Sequence, residues 1–143
     1  MDKALVDTFR ATDYLVCLNE VEWASIRIDQ PLPTSLQELV GTRSWGFITA
    51  WNPRSEPRSP ADNLTAQREL LATLRAAPET AIYPAIGVGA SGWSEPSLFV
   101  IGPDLPTLDV WGLRYEQNAY VHGQGGEIAR LRLLRPCDHA QNP

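Results

Sequence analysis

Residues 45–63, WGFITAWNPRSEPRSPADN, contain a predicted strand, a polar loop and the start of a helix. The run 45–51 is apolar on both sides of the strand alternation, as in a central strand of a sheet. A helix should then begin where Ser59 can cap it, Pro60 fits the first turn and Asp62 complements the positive helix end. Polar loops held between two rigid elements often carry binding groups. This stretch therefore predicts both part of the fold and a candidate site.

Further strands and helices follow one another along the chain without an internal repeat or a linker. The predicted helices cover 3–11, 35–40, 60–77 and 105–116, and the predicted strands cover 14–18, 21–28, 45–51, 80–86, 97–101, 119–122 and 128–134. Because some strands follow each other without an intervening helix, we predict an α+β fold with a mostly antiparallel or mixed, bent sheet of about five to seven strands and three or four helices. It should form a single domain over residues 1–135, followed by a flexible C-terminal tail over 136–143.

Composition indicates an ordinary folded protein of 143 residues, with 43% hydrophobic and 20% charged residues. The net charge of −5 does not favour general binding of polyanions. No N-terminal signal region is visible, and no apolar run approaches the ~18 residues needed to span a bilayer, so we expect a cytoplasmic protein without membrane association. Cys17 and Cys137 have no metal-type spacing and are expected to be reduced, and we predict neither a metal nor a cofactor.

The loop 52–63 is the first candidate site. Asn52, Arg54 and Asn63 could form a set of hydrogen-bond donors above a helix N-terminus, which would suit an anion. The alternative is structural: Asn52 and Pro53 would make a turn, the arginine would be solvated, and Asn63 would tie the loop down.

The Gly-rich loop 87–96, GVGASGWSEP, is the second candidate. Here Trp93 would be a stacking platform and Glu95 a general base or hydrogen-bond acceptor, although the loop could equally be a hairpin whose Trp covers the core. Asn118 could contribute an amide to the same ligand-binding pocket, or it could be the left-handed residue that ends the last predicted helix. We expect these two loops to bind a small molecule or a protein partner without catalysis.

Two other functions are weighed against this one. Arg130 and Arg132 lie on one face of the last predicted strand, with Arg135 just beyond, and could form a basic ribbon for RNA or single-stranded nucleic acid. The same arginines would equally protect a solvated edge strand from aggregation. A small hydrolase or transferase would need Glu95 and His122 to meet in one pocket, but no nucleophile motif supports an enzyme.

Several of these residues also carry a resemblance to a known family. The run Ile48–Pro53, Asn63 with Leu71, Glu95–Leu98, and Gln117–Ala119 resemble a bacterial family catalogued as domain of unknown function 3293. The resemblance would cover about residues 8–134 and implies a small soluble bacterial protein. No activity is known for the family, so it implies no catalytic residue.

A second, weaker resemblance concerns residues 99–105, FVIGPDL, which are similar to the second signature of Sm-like RNA-binding barrels. Ile101 stands where that signature has a basic residue, and Pro103 interrupts it. The resemblance implies a strongly bent, Sm-like antiparallel sheet with inserted helices. Separately, five Trp residues are many for a domain of this size, so an exposed one could mark a homodimer face.

Overall fold

The computed structural model describes residues 2–135, and the predicted tail 136–143, with Cys137, lies outside the described residues. Within residues 2–135, four α-helices accompany one seven-stranded antiparallel sheet, which confirms the predicted α+β fold. A single 3₁₀ turn, Pro53–Ser55, follows β3. The helices are α1 (Lys3–Arg10), α2 (Thr34–Val40), α3 (Pro60–Ala76) and α4 (Leu105–Arg114), and the strands are β1 (Asp13–Cys17), β2 (Trp23–Ile26), β3 (Ser44–Ile48), β4 (Ala81–Val88), β5 (Ser94–Ile101), β6 (Ala119–Gln124) and β7 (Arg130–Leu133).

The sheet is curled, and its two edges meet at one end. The strand order is β2-β1-β4-β5-β3-β6-β7, so β2 and β7 are the edge strands. The segment after β2 nevertheless reaches the segment before β7: the Asp29 amide donates to the Ala129 carbonyl at 2.7 Å, and the Ala129 amide donates to the Gln30 carbonyl at 3.0 Å. These bonds close one end of the curl and leave a half-barrel with an inside and an outside.

Each face of the curled sheet has its own apolar core. The inside includes side chains from all seven strands and from α2, among them Tyr14, Val16, Ile26, Leu36, Val40, Trp45, Phe47, Phe99, Ile101 and Val121. The outside is covered by α3 and α4, through Leu70, Leu74, Leu108 and Trp111, which pack on Ile48, Leu98, Val100 and Tyr120. Successive side chains of a strand point to opposite faces, so the parity of a residue assigns it to one core or the other.

The inside changes from apolar to polar along its length. Trp45 is paired with Ile101, and two residues further along the strands Phe47 is paired with Phe99. The side chains at the next inward-facing positions are polar. On this face of β5, Glu95 is paired with Gly87 of β4. The polar groups at this end belong to Thr12, Thr49, Glu95, Ser97 and Gln117.

Two details of the sequence prediction are wrong. The strand predicted over 45–51 ends at Ile48, because the Gln67 side chain of α3 takes the Ala50 amide in a 2.8 Å hydrogen bond and the chain turns away. The sequence also predicts that Leu64 belongs to the buried stripe of α3, with Leu70, Leu71 and Leu74, but the Leu64 side chain is 44% exposed. Among the tryptophans, Trp23 on the edge strand β2 is 54% exposed and Trp93 is 37% exposed, so the homodimer prediction applies to either of these two indoles. None of the helices within residues 2–135 combines the length and apolarity needed to cross a bilayer.

Candidate functional site

A cleft opens at the polar end of the curl, between α1, the loop after β3 and the hairpin that joins β4 to β5. Its outer part has a volume of about 370 Å³, and a small inner chamber of about 40 Å³ continues it towards the core. We call the outer part and the inner chamber together the polar cleft. Apolar walls come from Leu5, Phe9, Trp51, Pro57 and Trp93, and polar groups at the outer part come from Thr8, Asn52, Ser55, Ser94, Glu95 and Gln117.

Glu95 lies on the inward-facing side of β5 and lines both parts of the polar cleft. Its carboxylate has neither a hydrogen bond nor an ion pair with the rest of residues 2–135. Burial raises the pKa of the Glu95 carboxyl to about 7, because removal from water disfavours the charged form. The carboxyl can therefore gain or lose a proton near neutral pH, and its oxygens are free for a ligand.

Gln117 places a second acceptor beside this carboxyl. The side chain is only 8% exposed, and its Nε2 donates to the carbonyls of Trp51 at 3.3 Å and Tyr115 at 3.2 Å. Both amide protons are thereby used, while Oε1 has no hydrogen-bond donor within the described part of the chain. Oε1 is not fully enclosed by the protein, so a ligand in the cleft could donate a hydrogen bond to it.

Trp93 forms an aromatic wall at the tip of the β4–β5 hairpin. A Cβ at Gly89 would collide with the Trp93 indole, so the absence of a side chain at Gly89 lets the ring lie against the hairpin. The Gly89 amide also donates to the Trp93 carbonyl at 2.9 Å. Trp93 is nevertheless 37% exposed, which leaves one part of the indole available to a bound molecule.

The loop that carries the opposite wall is held in a strained conformation. Asn52, Arg54 and Ser55 all have positive φ angles, of 46°, 60° and 60°, which non-glycine residues adopt at a cost of order 1 kcal/mol or more each. Two asparagines bind each other across the loop. The backbone amide of Asn52 donates to Asn63 Oδ1 at 2.8 Å, and Asn63 Nδ2 donates to Asn52 Oδ1 at 2.8 Å. Asn63 is 2% exposed and therefore ties the loop to α3 from inside the protein.

Two further contacts hold the loop from the side of residues 116–118. The Arg54 guanidinium lies 3.2 Å from the Glu116 carboxylate, and Asn118 Nδ2 donates to the Ser55 hydroxyl at 3.0 Å. The left-handed residue after α4 is Glu116, with a φ of 55°, so the prediction of that role for Asn118 is wrong. The backbone amide of Arg54 donates a hydrogen bond to the Glu116 carbonyl at 2.7 Å, which stabilises the left-handed conformation at Glu116.

The predicted ligand-binding residues thus separate into two groups. Asn52, Trp93 and Glu95 line the polar cleft. The others, Arg54, Asn63 and Asn118, do not line the polar cleft. They hold the loop through contacts outside the cleft, and for Asn63 this is the structural role that the sequence offered as the alternative. Sequence reasoning missed Trp51, Phe9 and Tyr14 as lining residues.

His122 and Glu95 do not meet. His122 follows Tyr120 by two residues on β6, so both side chains point to the outside of the curl. The centroids of the two rings are 5.9 Å apart. It lines a separate cavity of about 310 Å³, which also includes Trp45 and Arg130. The acid–base pair that a hydrolase or transferase would need is therefore not assembled.

The three C-terminal arginines of the predicted basic ribbon have different surroundings. Arg132 is bound to the Asp109 carboxylate of α4, with Nη2 2.7 Å from Oδ2, and Tyr120 donates to the same carboxylate at 2.6 Å. Arg130 is exposed on the edge strand β7, and Arg135 follows that strand. Within residues 2–135, no group of three or more His, Cys, Asp or Glu side chains is arranged to bind a metal.

Comparison with known proteins gives one finding. The model of a family described as "Protein of unknown function (DUF3293)" matches residues 48–120, about half of the chain and less than the 8–134 expected from the sequence. The match includes the strained loop and the residues Trp51, Asn52, Trp93, Glu95 and Gln117 of the polar cleft. No curated protein and no solved structure matches the chain.

Proposed function

We propose that this chain, which belongs to the DUF3293 family, binds a small organic molecule in the polar cleft. The observation that carries the proposal is the preformed cavity of about 370 Å³ at the point where the inside of the curl turns polar. Small-molecule sites are typically concave, mostly apolar and supplied with a few placed polar groups, and their usual volumes include this one. Two indoles, the Glu95 carboxyl and the Gln117 amide line the same cavity and fit that description.

The rigidity of the walls supports binding of a defined ligand. Asn63, Asn118 and the Glu116 carbonyl fix the loop in its strained conformation through hydrogen bonds of 2.7–3.0 Å. Strained backbone held in this way is frequently found at ligand sites. A preformed wall also reduces the ordering cost that a ligand would otherwise have to offset.

The lining favours recognition over catalysis. Among the described residues of the polar cleft, the ionisable side chains are Glu95, Tyr14 and Tyr120, and neither His, Lys nor Cys is present. The Tyr14 hydroxyl already donates to the Phe9 carbonyl at 2.7 Å, and burial raises its pKa further above the usual range. This set can bind and orient a molecule, but it offers no activated nucleophile with a base beside it.

Ligand-observed NMR with a library of small organic fragments tests the proposal. Ser94 is exposed at the edge of the cleft, so a Ser94→Tyr substitution should fill the cavity from its mouth and weaken binding of its fragments at least tenfold. Trp93→Ala should also weaken them, whereas Trp23→Ala, which removes an exposed indole outside the cleft, should have no effect. Thermal denaturation checks that each variant is folded. Fragments that bind equally well to wild type and Ser94→Tyr would refute this location for the site.

A further inference from the structure

We infer that the ligand of the polar cleft carries a protonated nitrogen that pairs with the Glu95 carboxylate, while its apolar body lies between Trp51 and Trp93. The inference rests on the proposed function and adds the chemical class of the ligand, an organic cation such as an amine. It is carried by three observations: unpartnered acceptors, the absence of a free cationic side chain in the described lining, and two indoles that line the same cleft as the carboxyl.

Two hydrogen-bond acceptors of the polar cleft have no donor within the described residues. The Glu95 carboxylate and Gln117 Oε1 lie at the same part of the cleft, and neither receives a hydrogen bond from another group of residues 2–135. A carboxylate accepts several hydrogen bonds, and removal of those bonds in a buried site is costly. A ligand that donates N–H groups would satisfy both residues, whereas an anionic ligand would add repulsion and donate nothing.

The nearby cations are engaged elsewhere. The Arg54 and Arg58 guanidinium groups face the Glu116 carboxylate, at 3.2 and 4.0 Å, on the far side of the strained loop. Arg27 lies beside Asp13 at 3.2 Å. No arginine or lysine is among the described residues that line the cleft. A positive charge to pair with the ionised form of Glu95 would therefore have to come from the bound molecule.

The walls suit the same chemistry. Trp51 and Trp93 border the outer part of the cleft together with Glu95. The face of an indole attracts a cation and packs against an apolar body, and both effects strengthen when water is excluded. A cleft that contains both a carboxylate and two indoles can therefore bind the ammonium group of an amine as well as its aromatic or aliphatic body.

The proton equilibrium of Glu95 gives the inference a second readout. Burial raises the pKa of this carboxyl to about 7, so a cation must bind the ionised fraction of the protein. The other titratable groups that line the cleft are Tyr14 on β1 and Tyr120 on β6, while α1 and the strained loop present Leu5, Thr8, Phe9, Asn52 and Ser55. Affinity for a permanently protonated amine should rise about tenfold between pH 6 and pH 8, in step with that fraction.

Two matched probes separate the ligand class from the site itself. We suggest 2-phenylethylamine, which is protonated over this pH range, and 2-phenylethanol, which replaces the ammonium by a hydroxyl. Ligand-observed NMR at pH 6 and pH 8 should show tighter binding of the amine at pH 8 and no pH dependence for the alcohol. Glu95→Gln should weaken the amine at least tenfold at pH 8 and leave the alcohol unchanged, and Glu20→Gln, an exposed change outside the cleft, controls for the loss of one charge.

The results distinguish the two proposals. Equal binding of the two probes, with both lost in Ser94→Tyr, would overturn the organic cation and leave the site in place. Amine binding that survives in Glu95→Gln would also overturn the pairing with Glu95. If neither probe binds, an amine of this size is excluded, and the fragment screen decides separately whether the polar cleft binds any small molecule.

Discussion

Replacing Glu95 by Gln should stabilise the ligand-free protein at pH 8 far more than at pH 5. The pKa of this carboxyl is about 7 in the folded chain, against an ordinary value of 4.5. Between these values the folded state holds a proton that the unfolded state has released, so the free energy of unfolding falls as the pH rises. Since a tenfold change in proton affinity corresponds to about 1.4 kcal/mol, the loss reaches about 3 kcal/mol once both states are ionised. Gln has a similar shape and no such loss.

Urea denaturation of both proteins at several pH values measures this effect. The free energy of unfolding of Glu95→Gln, minus that of wild type, should increase by about 2 to 3 kcal/mol from pH 5 to pH 8. All other titrations are shared and cancel in the difference. Glu20→Gln should give a curve parallel to wild type, because that carboxyl is exposed. Parallel curves for Glu95→Gln as well would refute the claim that this carboxylate is buried without a partner.

Two further predictions concern the supports of the structure. Asn63→Ala should lower the free energy of unfolding by about 2 kcal/mol in urea denaturation and weaken fragment binding, because Asn52 loses both of its bonds to that side chain; unchanged binding would contradict a supporting role for the loop. Gly123→Ala should destabilise by about 1–3 kcal/mol, since its Cβ would meet the Trp45 ring at 2.7–2.8 Å, whereas Gly126→Ala has nothing within 4 Å and should have little effect.

The elements of the fold follow from local signals in the sequence. Ser59 caps α3 by accepting a hydrogen bond from the Asp62 amide at 3.1 Å, as the sequence predicts. Apolar alternation and helix-start residues act over a few positions, which is why all seven strands and four helices of the described chain were anticipated. The ends of elements were less predictable: β3 stops early because Gln67, far along the chain, binds the Ala50 amide.

The composition of the site depends on long-range geometry and could be predicted only in part. Trp93 and Glu95 were identified because they stand out in a Gly-rich loop. Gln117 and Phe9 reach the same cleft only because the sheet curls and brings α1 and the chain after α4 to its open end. Nothing in the local pattern distinguishes Arg54, which turns to Glu116, from an arginine that faces a ligand.

Two features that disfavour folding stability, an unpartnered carboxyl and a strained loop, occur together at the polar cleft. Their coincidence supports a function for this cleft. A stability optimum would put an uncharged residue at position 95, since its nearest neighbour on the inward face of β5 is the buried Ser97, and the fully buried Phe99 and Ile101 follow beyond it. It would also use glycine where Asn52 and Arg54 adopt positive φ. An unpartnered carboxyl and a strained loop that face the same cavity are difficult to explain by folding alone, because each costs stability and neither offsets the other. A ligand that satisfies the carboxyl and packs against the loop would account for both.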